Sequence, residues 1–501
     1  MKKAMHKIIF AIFSCWVASL SAQSMDDAAF REMVTLHREF VSIPNLPADP
    51  ERMLDNIRWV QEKYEGLEFE TSLLTSETLP ILLVEKVYNP ELKTILFYFH
   101  IDGQPVNPAA WNQINPFTPV LKAQQSDGSW QEIAWSELEG TLDDDWRMFA
   151  RAAADDKAPI LMLYTALQQL QQQQITPNFN IKILFDPEEE YSSKALLGTL
   201  DEYKDRYTSD YFIVMDGPAH PSNAPTLTFG CRGIATCSIT TYGPNLPQHS
   251  GHYGNYAPNP VFRLANLLSS MKNEEGEVLI KDYYREVKLN PAELKILNAV
   301  PYDAEATRNQ LGIAKEEQVG RNYQEALQYP SLNVRQLETS WKGEGLKTII
   351  PETATAHFDI RLVPEIDGEE QLKRIRQHLE QQGYLVLDRE PTGEERLTHD
   401  QILTFQGDFK YNAYRTATDS EFGKRIRRTL EDTFEEEPVI IRMMGGTVPI
   451  VPLIQALNVP TVIVPMVNMD NNQHNPNENI RLGNLRQGVA ICKALLQMKL
   501  Q

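Results

Sequence analysis

The sequence predicts an α/β protein in which a mostly parallel sheet, flanked by helices, carries a smaller inserted α+β domain. Apolar runs alternate with helical patterns up to about residue 218, which is typical of parallel sheets. The runs are rich in Ile, Leu, Val and Phe, and therefore fit strands that are covered on both faces. Residues 354–362 differ, because apolar and polar residues alternate there as in a strand with one polar face.

Four of the apolar runs end in, or lead to, a histidine or an acid. In open α/β sheets, ligand sites gather beyond the carboxyl ends of the strands, so we expect these side chains to meet at one edge. A fifth element, Asp155 and Asp156, stands just ahead of a helical segment. The four runs are Ile183–Glu190 with Asp186, Glu188, Glu189 and Glu190, Thr94–His100 followed by Asp102, Tyr211–Asp216, and Thr461–Val467 leading to His474.

Like charges packed at one edge are costly unless a cation compensates them. Lys194 is the basic residue near the acids in sequence, and a metal ion is the alternative. A single strand that ends in a histidine or an acid would be interpreted as an ordinary surface group. The recurrence favours the metal, since two histidines and several carboxylates match the ligands that zinc or manganese prefers.

The smaller predicted domain interrupts the larger one along the chain. Residues 23–237 form the first part of the larger domain, and residues 412–501 form the second part, which holds His474. Residues 238–411 form the inserted α+β domain between them. The candidate ligands are therefore divided by the insertion and can meet only after the chain folds.

A long polar segment lies between His100 and Asp155. It contains four tryptophans, Trp111, Trp130, Trp135 and Trp146, which indicate a packed loop rather than disorder. We therefore predict an ordered loop beside the candidate site.

Residues 1–22 have the pattern of a secretory signal peptide. A basic segment, residues 1–7, precedes an apolar run, Ile8–Leu20, that is too short to span a membrane. The small residues Ser21 and Ala22 suit cleavage after Ala22. We therefore expect a periplasmic or secreted protein. A buried N-terminal helix remains the alternative, and lipid attachment at Cys15 is disfavoured because the apolar run before it is short. No other stretch has the length of a membrane span.

The composition is that of an ordinary globular protein, with 42% hydrophobic and 23% charged residues. The formal net charge of −20 repels phosphate backbones, which argues against nucleic acid as a partner. Removal of the signal would leave Cys231, Cys237 and Cys492, an odd number that argues against a disulfide framework. We expect all three as small core residues, with Cys231 and Cys237 on the same face of one strand.

Ordered motifs along the chain resemble those of the co-catalytic zinc peptidases that include carnosinase, carboxypeptidase G and aminoacylase. The resemblance is strongest to the carnosinase-like dipeptidase branch. It implies a phosphorylase/hydrolase-like catalytic domain and a ferredoxin-like inserted domain that serves as a lid and in dimerisation. The motifs are His100–Pro105, Ala154–Lys157, Glu188–Glu190, Asp216, Gln248–Gly251, Asp359–Pro364, Gly445–Pro449 and His474–Glu478.

The resemblance implies two divalent metal ions per subunit, zinc in the first place and manganese or cobalt as alternatives. Asp155 would bridge the ions, with a cis peptide between it and Asp156. Asp102 would orient the ring of His100 from behind. The implied ligands are His100, Asp155, Glu190, Asp216 and His474.

The same resemblance implies the roles of the remaining site residues. Glu189 would act as the general base toward a hydroxide shared by the two metal ions. His249, reaching over from the partner subunit of a homodimer, would stabilise the oxyanion. Arg361, with Gly446 and Thr447, would bind the free C-terminal carboxylate of a dipeptide or small peptide. An alternative for Arg361 is a charge balance with Asp359 across strands.

Three positions depart from the family pattern, which usually has glycine where Ala158, Pro187 and Ser192 stand. These changes remove backbone freedom near the site but delete no ligand. Two other functions stay open: an N-acyl amino acid deacylase with the same site, and a non-catalytic protein that retains the fold. The presence of Glu189 argues against the non-catalytic alternative, because a metal scaffold does not need an uncoordinated carboxylate there.

Overall fold

The computed structural model describes residues 25–500 except 141, 342 and 344–346. The predicted signal peptide therefore lies outside the described residues. Within them, no helix is both long and apolar enough to cross a membrane.

The helices α1–α15 are numbered in chain order, and many begin with a side-chain cap. Asp26, for example, accepts a hydrogen bond from the backbone of α1, and Asn290 forms a capping box with Glu293 at α8. Their bounds are α1 Asp27–Val41, α2 Pro50–Glu65, α3 Lys157–Gln172, α4 Lys194–Gly198, α5 Leu200–Tyr207, α6 Ser250–Tyr253, α7 Pro260–Met271, α8 Pro291–Ala299, α9 Ala304–Leu311, α10 Tyr323–Ala326, α11 Gly368–Gln381, α12 Gly393–Thr398, α13 Glu421–Phe434, α14 Val451–Leu457 and α15 Leu482–Gln497.

The strands β1–β21 belong to one large sheet and several smaller ones. Their bounds are β1 Glu70–Leu74, β2 Ile81–Lys86, β3 Thr94–His100, β4 Val120–Gln124, β5 Trp130–Ile133, β6 Arg147–Phe149, β7 Asn180–Asp186, β8 Tyr211–Val214, β9 Thr226–Thr228, β10 Gly230–Cys231, β11 Gly233–Tyr242, β12 Gln248–His249, β13 Asn333–Thr339, β14 Ile349–Ile350, β15 Thr353–Leu362, β16 Leu385–Leu387, β17 Ile402–Tyr411, β18 Tyr414–Arg415, β19 Val439–Ile441, β20 Thr461–Ile463 and β21 Asn479–Arg481.

The large sheet has eight strands in the order β1-β2-β7-β3-β8-β20-β9-β19. The four strands that the apolar runs predict, β7, β3, β8 and β20, are consecutive neighbours and pair in parallel. Antiparallel pairs occur outside this group, between β1, β2 and β7 and between β20 and β9. The prediction of a mostly parallel sheet with flanking helices is confirmed, with its parallel part at the centre.

Both faces of the large sheet are buried, which explains why its strands lack a polar face. Along β3, Ile95, Phe97 and Phe99 point into one apolar cluster, whereas Leu96 and Tyr98 point into another. Helices α1, α2, α3 and α15 contribute to the first cluster, and α5 and α14 contribute to the second. Complete burial of each large apolar side chain contributes about 1.5–3 kcal/mol.

The polar segment after His100 is more than the loop that its composition predicts. It contains β4, β5 and β6, which form an antiparallel sheet with β21 in the order β21-β6-β4-β5. These strands are only three to five residues long and mix apolar with polar residues irregularly, so they lack the periodic signal that identifies a strand in sequence. The pairing of β6 with β21 places residues 150–155 beside the loop that carries His474.

A second, five-stranded sheet has the order β13-β15-β11-β17-β16 and its own apolar cluster with α7 and α11. Burial alternates along β15, as its predicted polar face requires. Helix α11 ends just before Gly383, whose φ of 89° favours glycine. A separate sheet with its own core supports the prediction of an inserted α+β domain.

Strands β10 and β18 form a two-stranded ribbon where the chain passes between the two large sheets. A Cβ on Gly230 would lie 2.3 Å from Tyr414 O, so only glycine allows this pairing. Cys231 belongs to β10 and Cys237 to β11, and the two thiols lie in different apolar clusters. Their predicted placement on one strand is therefore wrong, because the chain bends between them. All three described cysteines are free and buried, as expected.

Candidate metal centre

Four neighbouring strands of the large sheet end at the candidate site. His100 is the last residue of β3 and Asp186 is the last residue of β7. Asp216 follows β8 by two residues, and His474 follows β20 through a polar loop. Because these strands run parallel, their carboxyl ends lie at one edge of the sheet, as the sequence predicts.

Five predicted ligand residues form two groups of three that share Asp155. His100 Nε2 lies 2.9 Å from Asp155 Oδ1 and 4.0 Å from Asp216 Oδ1. His474 Nε2 lies 3.1 Å from the other oxygen, Asp155 Oδ2, and 3.4 Å from Glu190 Oε2. Within each group, the potential ligand atoms lie within 4.8 Å of one another. Asp155 thus offers one oxygen to each group, as a bridging carboxylate would.

The carboxylates of the site are crowded and shielded from water. Burial and the nearby Asp155 raise the pKa of Glu190 to about 7, and burial raises the pKa of Asp216 to about 6. Burial also raises the pKa of Glu189 well above its ordinary value, with Asp216 and Glu190 as acidic neighbours. A divalent cation between these groups would reverse the shifts, because it favours the ionised carboxylates.

Asp102 contacts both the histidine and the acidic turn. Its Oδ1 lies 3.4 Å from His100 Nδ1, the ring nitrogen on the side away from Asp155. Its two oxygens also accept hydrogen bonds of 3.0 Å from the backbone N–H groups of Glu189 and Glu190. Because Asp102 is completely buried, these contacts fix the ring and the turn relative to each other.

Two acids of the Ile183–Glu190 segment hold its turn in place. Glu188 Oε2 accepts hydrogen bonds from Thr78 Oγ1 at 2.6 Å and from Ala195 N at 3.0 Å. Asp186 accepts hydrogen bonds from the Tyr98 hydroxyl at 3.0 Å and from the backbone N–H of Glu188 at 2.9 Å. Thr78 and Tyr98 lie far from these acids in sequence, so sequence reasoning could not separate Asp186 and Glu188 from Glu189 and Glu190.

Glu478 is a functional residue whose role sequence reasoning missed. Its completely buried carboxylate accepts hydrogen bonds of 2.9–3.0 Å from the backbone N–H groups of Ala152, Ala154 and Asp155. It also forms a 2.7 Å ion pair with Arg151, which is itself buried. Glu478 therefore fixes the backbone that presents Asp155. The sequence feature that could have identified Glu478 is its position at the end of the His474–Glu478 motif.

The predicted substrate-binding residues come together from the two sheets. Arg361, on the polar face of β15, donates a hydrogen bond of 2.8 Å from Nη1 to Thr447 Oγ1, and Gly446 precedes Thr447 in the same loop. The alternative pairing partner, Asp359, accepts instead from Asn333 Nδ2 at 2.8 Å. This favours the binding role of Arg361 over a charge balance with Asp359.

His249 is exposed and lies at the N-terminus of α6. Its Nδ1 accepts a hydrogen bond of 3.0 Å from Gly251 N, and its ring lies 4.8 Å from the ring of His252. In the described part of the chain, no ion pair or hydrogen bond joins His249 to either ligand group.

Comparison with known proteins decides the family. Residues 96–498 match the family model described as peptidase family M20/M25/M40. The chain belongs to this family. The peptidase is 26% identical to the Cys-Gly metallodipeptidase dug1 of Schizosaccharomyces pombe over 82% of its own length and 81% of that protein. It is also 27% identical to the Beta-Ala-His dipeptidase of Homo sapiens over 83% of its own length and 76% of that protein.

Solved structures share the fold of this peptidase. The M20 family metallo-carboxypeptidase Sso-CP2 of Sulfolobus solfataricus superposes with a TM-score of 0.73 at 24% identity, over 95% of this chain and 99% of the other. Human carnosine dipeptidase 1 superposes with a TM-score of 0.69 at 23% identity, over 94% and 96% of the two chains. The family match and the dipeptidases among the curated relatives make the chain a hydrolase of the peptidase class.

The donor set of this peptidase fits a pair of divalent ions. Two histidine nitrogens and three carboxylates converge there, which is the mixture that zinc and manganese bind. Lys194, the alternative source of positive charge, forms no ion pair with the acids in the described residues. The cis peptide that the family resemblance implies between Asp155 and Asp156 is present.

The three departures from the family pattern leave the ligands in place. Ala158 is buried in the first turn of α3, and Pro187 is buried within the acidic turn. Ser192 adopts the left-handed region with a φ of 72°, where a side chain costs roughly 1–2 kcal/mol relative to glycine. The strain explains the family's preference for glycine at that position, and its location after Glu190 keeps it outside both ligand groups.

Proposed function

We propose that this chain is a dinuclear zinc peptidase that hydrolyses dipeptides or small peptides with a free C-terminal carboxylate. The observation that carries the proposal is the sharing of Asp155 between two ligand groups, one with His100 and Asp216 and the other with Glu190 and His474. The dipeptidases among the relatives support a dipeptide substrate. The Arg361–Thr447 pair, which lies outside both ligand groups, supports recognition of a carboxylate.

Two bound divalent ions would supply water whose pKa is lowered from its bulk value to about 7. Glu189 belongs to neither ligand group, and its backbone is held by Asp102. Its carboxylate therefore accepts the proton of the attacking water and delivers it to the leaving amine. Arg361 and Thr447 hold the substrate carboxylate, which fixes the scissile bond relative to Glu189.

The experiment that tests this function is a digest of a peptide library by the metal-loaded protein, read by mass spectrometry. We expect trimming of dipeptides and small peptides with free C-termini, loss of cleavage after exhaustive chelation, and recovery with added zinc. N-acylated amino acids serve as competitors in the same digest. Their preferential hydrolysis would replace the peptidase proposal by the deacylase alternative, and cleavage that survives chelation would contradict the metal proposal.

We further propose a homodimer in which His249 completes the site of the other subunit. The exposure of His249 and its distance in sequence from the ligands support this arrangement. Strand β13 supports it as well, because it is an edge strand of the five-stranded sheet with Leu337 60% exposed. Unpaired edges of this kind are templates for association with another chain.

Mixing two inactive variants tests the shared site. A His249→Ala subunit retains Glu189, and a Glu189→Gln subunit retains His249, so a mixed dimer contains one complete site. We expect activity to return upon mixing and subunit exchange, while each variant alone remains inactive. Verified mixed dimers that stay inactive would mean that His249 acts within its own subunit or has no role in turnover.

We also propose export to the periplasm or the medium, on the basis of the signal pattern in residues 1–22. N-terminal sequencing of the exported protein should begin at Gln23. An exported protein that retains residues 1–22 would contradict the cleavage site.

A further inference from the structure

Arg232 is a buried cation with no counter-ion among the described residues. It stands between β10 and β11 and is only 7% exposed. Its Nη2 donates a hydrogen bond of 2.9 Å to Tyr329 O, whereas its buried Nε has no hydrogen-bond partner. No carboxylate of the described residues lies within 4.0 Å of the guanidinium nitrogens, so its charge is unpaired in this subunit.

The other buried arginines show how unusual this state is. The described residues include four buried arginines, and Arg151, Arg374 and Arg442 each form an ion pair. Their partners are Glu478, Glu286 and Glu293, respectively. Burial of a charge costs several kcal/mol unless an opposite charge compensates it. The chain has 68 acids to 48 basic residues, so a shortage of carboxylates does not explain the unpaired Arg232.

Arg232 and Arg361 are attached to the same loop. The backbone N–H of Arg232 donates to Gly446 O at 3.0 Å, and Arg361 Nη1 donates to Thr447 Oγ1 at 2.8 Å. Arg361 forms no ion pair with the described residues either. Burial and the neighbouring charge of Arg361 lower the pKa of Arg232 to about 10, which still leaves it cationic at neutral pH. Two like charges are thus held together at the loop of the proposed carboxylate site.

The segment at α10 lies against the loop that contacts Arg232 and Arg361. A Cβ on Gly445, the residue before Gly446, would lie 3.1 Å from Leu327 and 3.9 Å from the Tyr323 hydroxyl. The loop is therefore covered by the segment at α10, which belongs to the chain between the two parts of the large sheet. A ligand at the loop would be partly withdrawn from water, where charge pairing is stronger.

We propose that Arg232 and Arg361 form a subsite for two carboxylates, so that the peptidase prefers peptides with Asp or Glu at the C-terminus. Arg361 and Thr447 bind the α-carboxylate, and Arg232 binds the side-chain carboxylate of the same residue. A single α-carboxylate would leave one of the two guanidinium charges uncompensated. This inference rests on the proposed peptidase function, since it assigns the substrate class of that site.

The test compares two substrates of matched shape, Ala-Glu and Ala-Gln, with the wild type and the Arg232→Met and Arg232→Lys variants. We expect the wild type to have a kcat/KM for Ala-Glu at least 100-fold above that for Ala-Gln, because a charged partner is then present for Arg232. Arg232→Met should lose about 100-fold on Ala-Glu and less than threefold on Ala-Gln. Arg232→Lys should retain part of the preference.

The outcomes distinguish failure of this inference from failure of the proposed peptidase function on which it rests. Cleavage of both dipeptides by the wild type without preference for Ala-Glu would overturn the inference and leave the peptidase function intact. Equal losses on both substrates in a folded Arg232→Met variant would make Arg232 a structural residue and overturn it as well. Cleavage of neither dipeptide would contradict the proposed function itself. The wild-type comparison decides the preference even if the Met variant does not fold.

Discussion

Replacement of Glu189 by glutamine should abolish turnover and leave metal binding intact. Glutamine preserves the shape of the side chain and the backbone hydrogen bond to Asp102, but its amide cannot accept the proton of water. Loss of a general base typically lowers the rate by 10²–10⁴-fold, and we expect a decrease in kcat in this range or larger. Steady-state kinetics and metal content by mass spectrometry, measured on the same preparation, check both parts of the prediction.

Glu190→Gln is the matched control, because it alters the adjacent residue of the same turn. Glu190 belongs to the ligand group with His474 and Asp155, so this variant should lose metal as well as activity. Equal activity of Glu189→Gln and wild type would refute the assignment of Glu189 as base. Loss of metal from Glu189→Gln would place Glu189 among the ligands instead.

Glu478→Gln should weaken metal binding although Glu478 contacts no metal-binding atom. The charge of Arg151 would lose its buried partner, and an amide NH₂ in place of Oε1 would face the backbone N–H donors of Ala154 and Asp155. Removal of one member of a buried ion pair typically costs about 3–5 kcal/mol of stability. Disturbance of groups that orient metal ligands typically costs 10–100-fold in metal affinity. Thermal unfolding and competition with a chelator measure the two effects separately.

Asp470→Asn provides the control for Glu478→Gln, because it removes a carboxylate from the loop that also carries His474. Asp470 pairs with Arg147 at 2.7 Å, but its side chain is 68% exposed, so the pair contributes at most about 1 kcal/mol. We expect metal affinity within twofold of wild type for this variant. A similar loss of affinity in both variants would mean that the loop, rather than the backbone contacts of Glu478, controls the site.

The strands that end at the site could be predicted because they are buried on both faces. A strand that is buried on both faces needs a continuous apolar run. The run ends where the strand reaches the edge of the sheet, at or near a polar residue such as His100 or Asp216. The ordered motifs then identified the family. The same reasoning failed between His100 and Asp155, where β4, β5 and β6 are short, of mixed polarity and stabilised by pairing with one another and with β21.

The features that the sequence did not predict depend on contacts between residues that are remote in sequence. The role of Glu478 depends on the pairing of β6 with β21, and the unpaired state of Arg232 depends on which acids the fold places near it. Neither property belongs to a local pattern, because hydrogen bonds and ion pairs between distant segments follow from the packing of whole elements. The bend that separates Cys231 from Cys237 likewise depends on the ribbon of β10 and β18.

The sequence by itself determined the central strands, the inserted second sheet and the identity of the residues that meet at the edge of the large sheet. Local periodicity records which faces are buried, and residue type records which groups can bind a metal or a proton. Only the tertiary structure decided that Asp155 faces both His100 and His474 and that Glu478 holds the backbone before Asp155. It likewise decided that Arg232 has no counter-ion in the part of the chain that the structure describes. Each of these facts depends on the distance between segments that are far apart in the chain. Such segments come together only when the strands and helices of the whole chain pack.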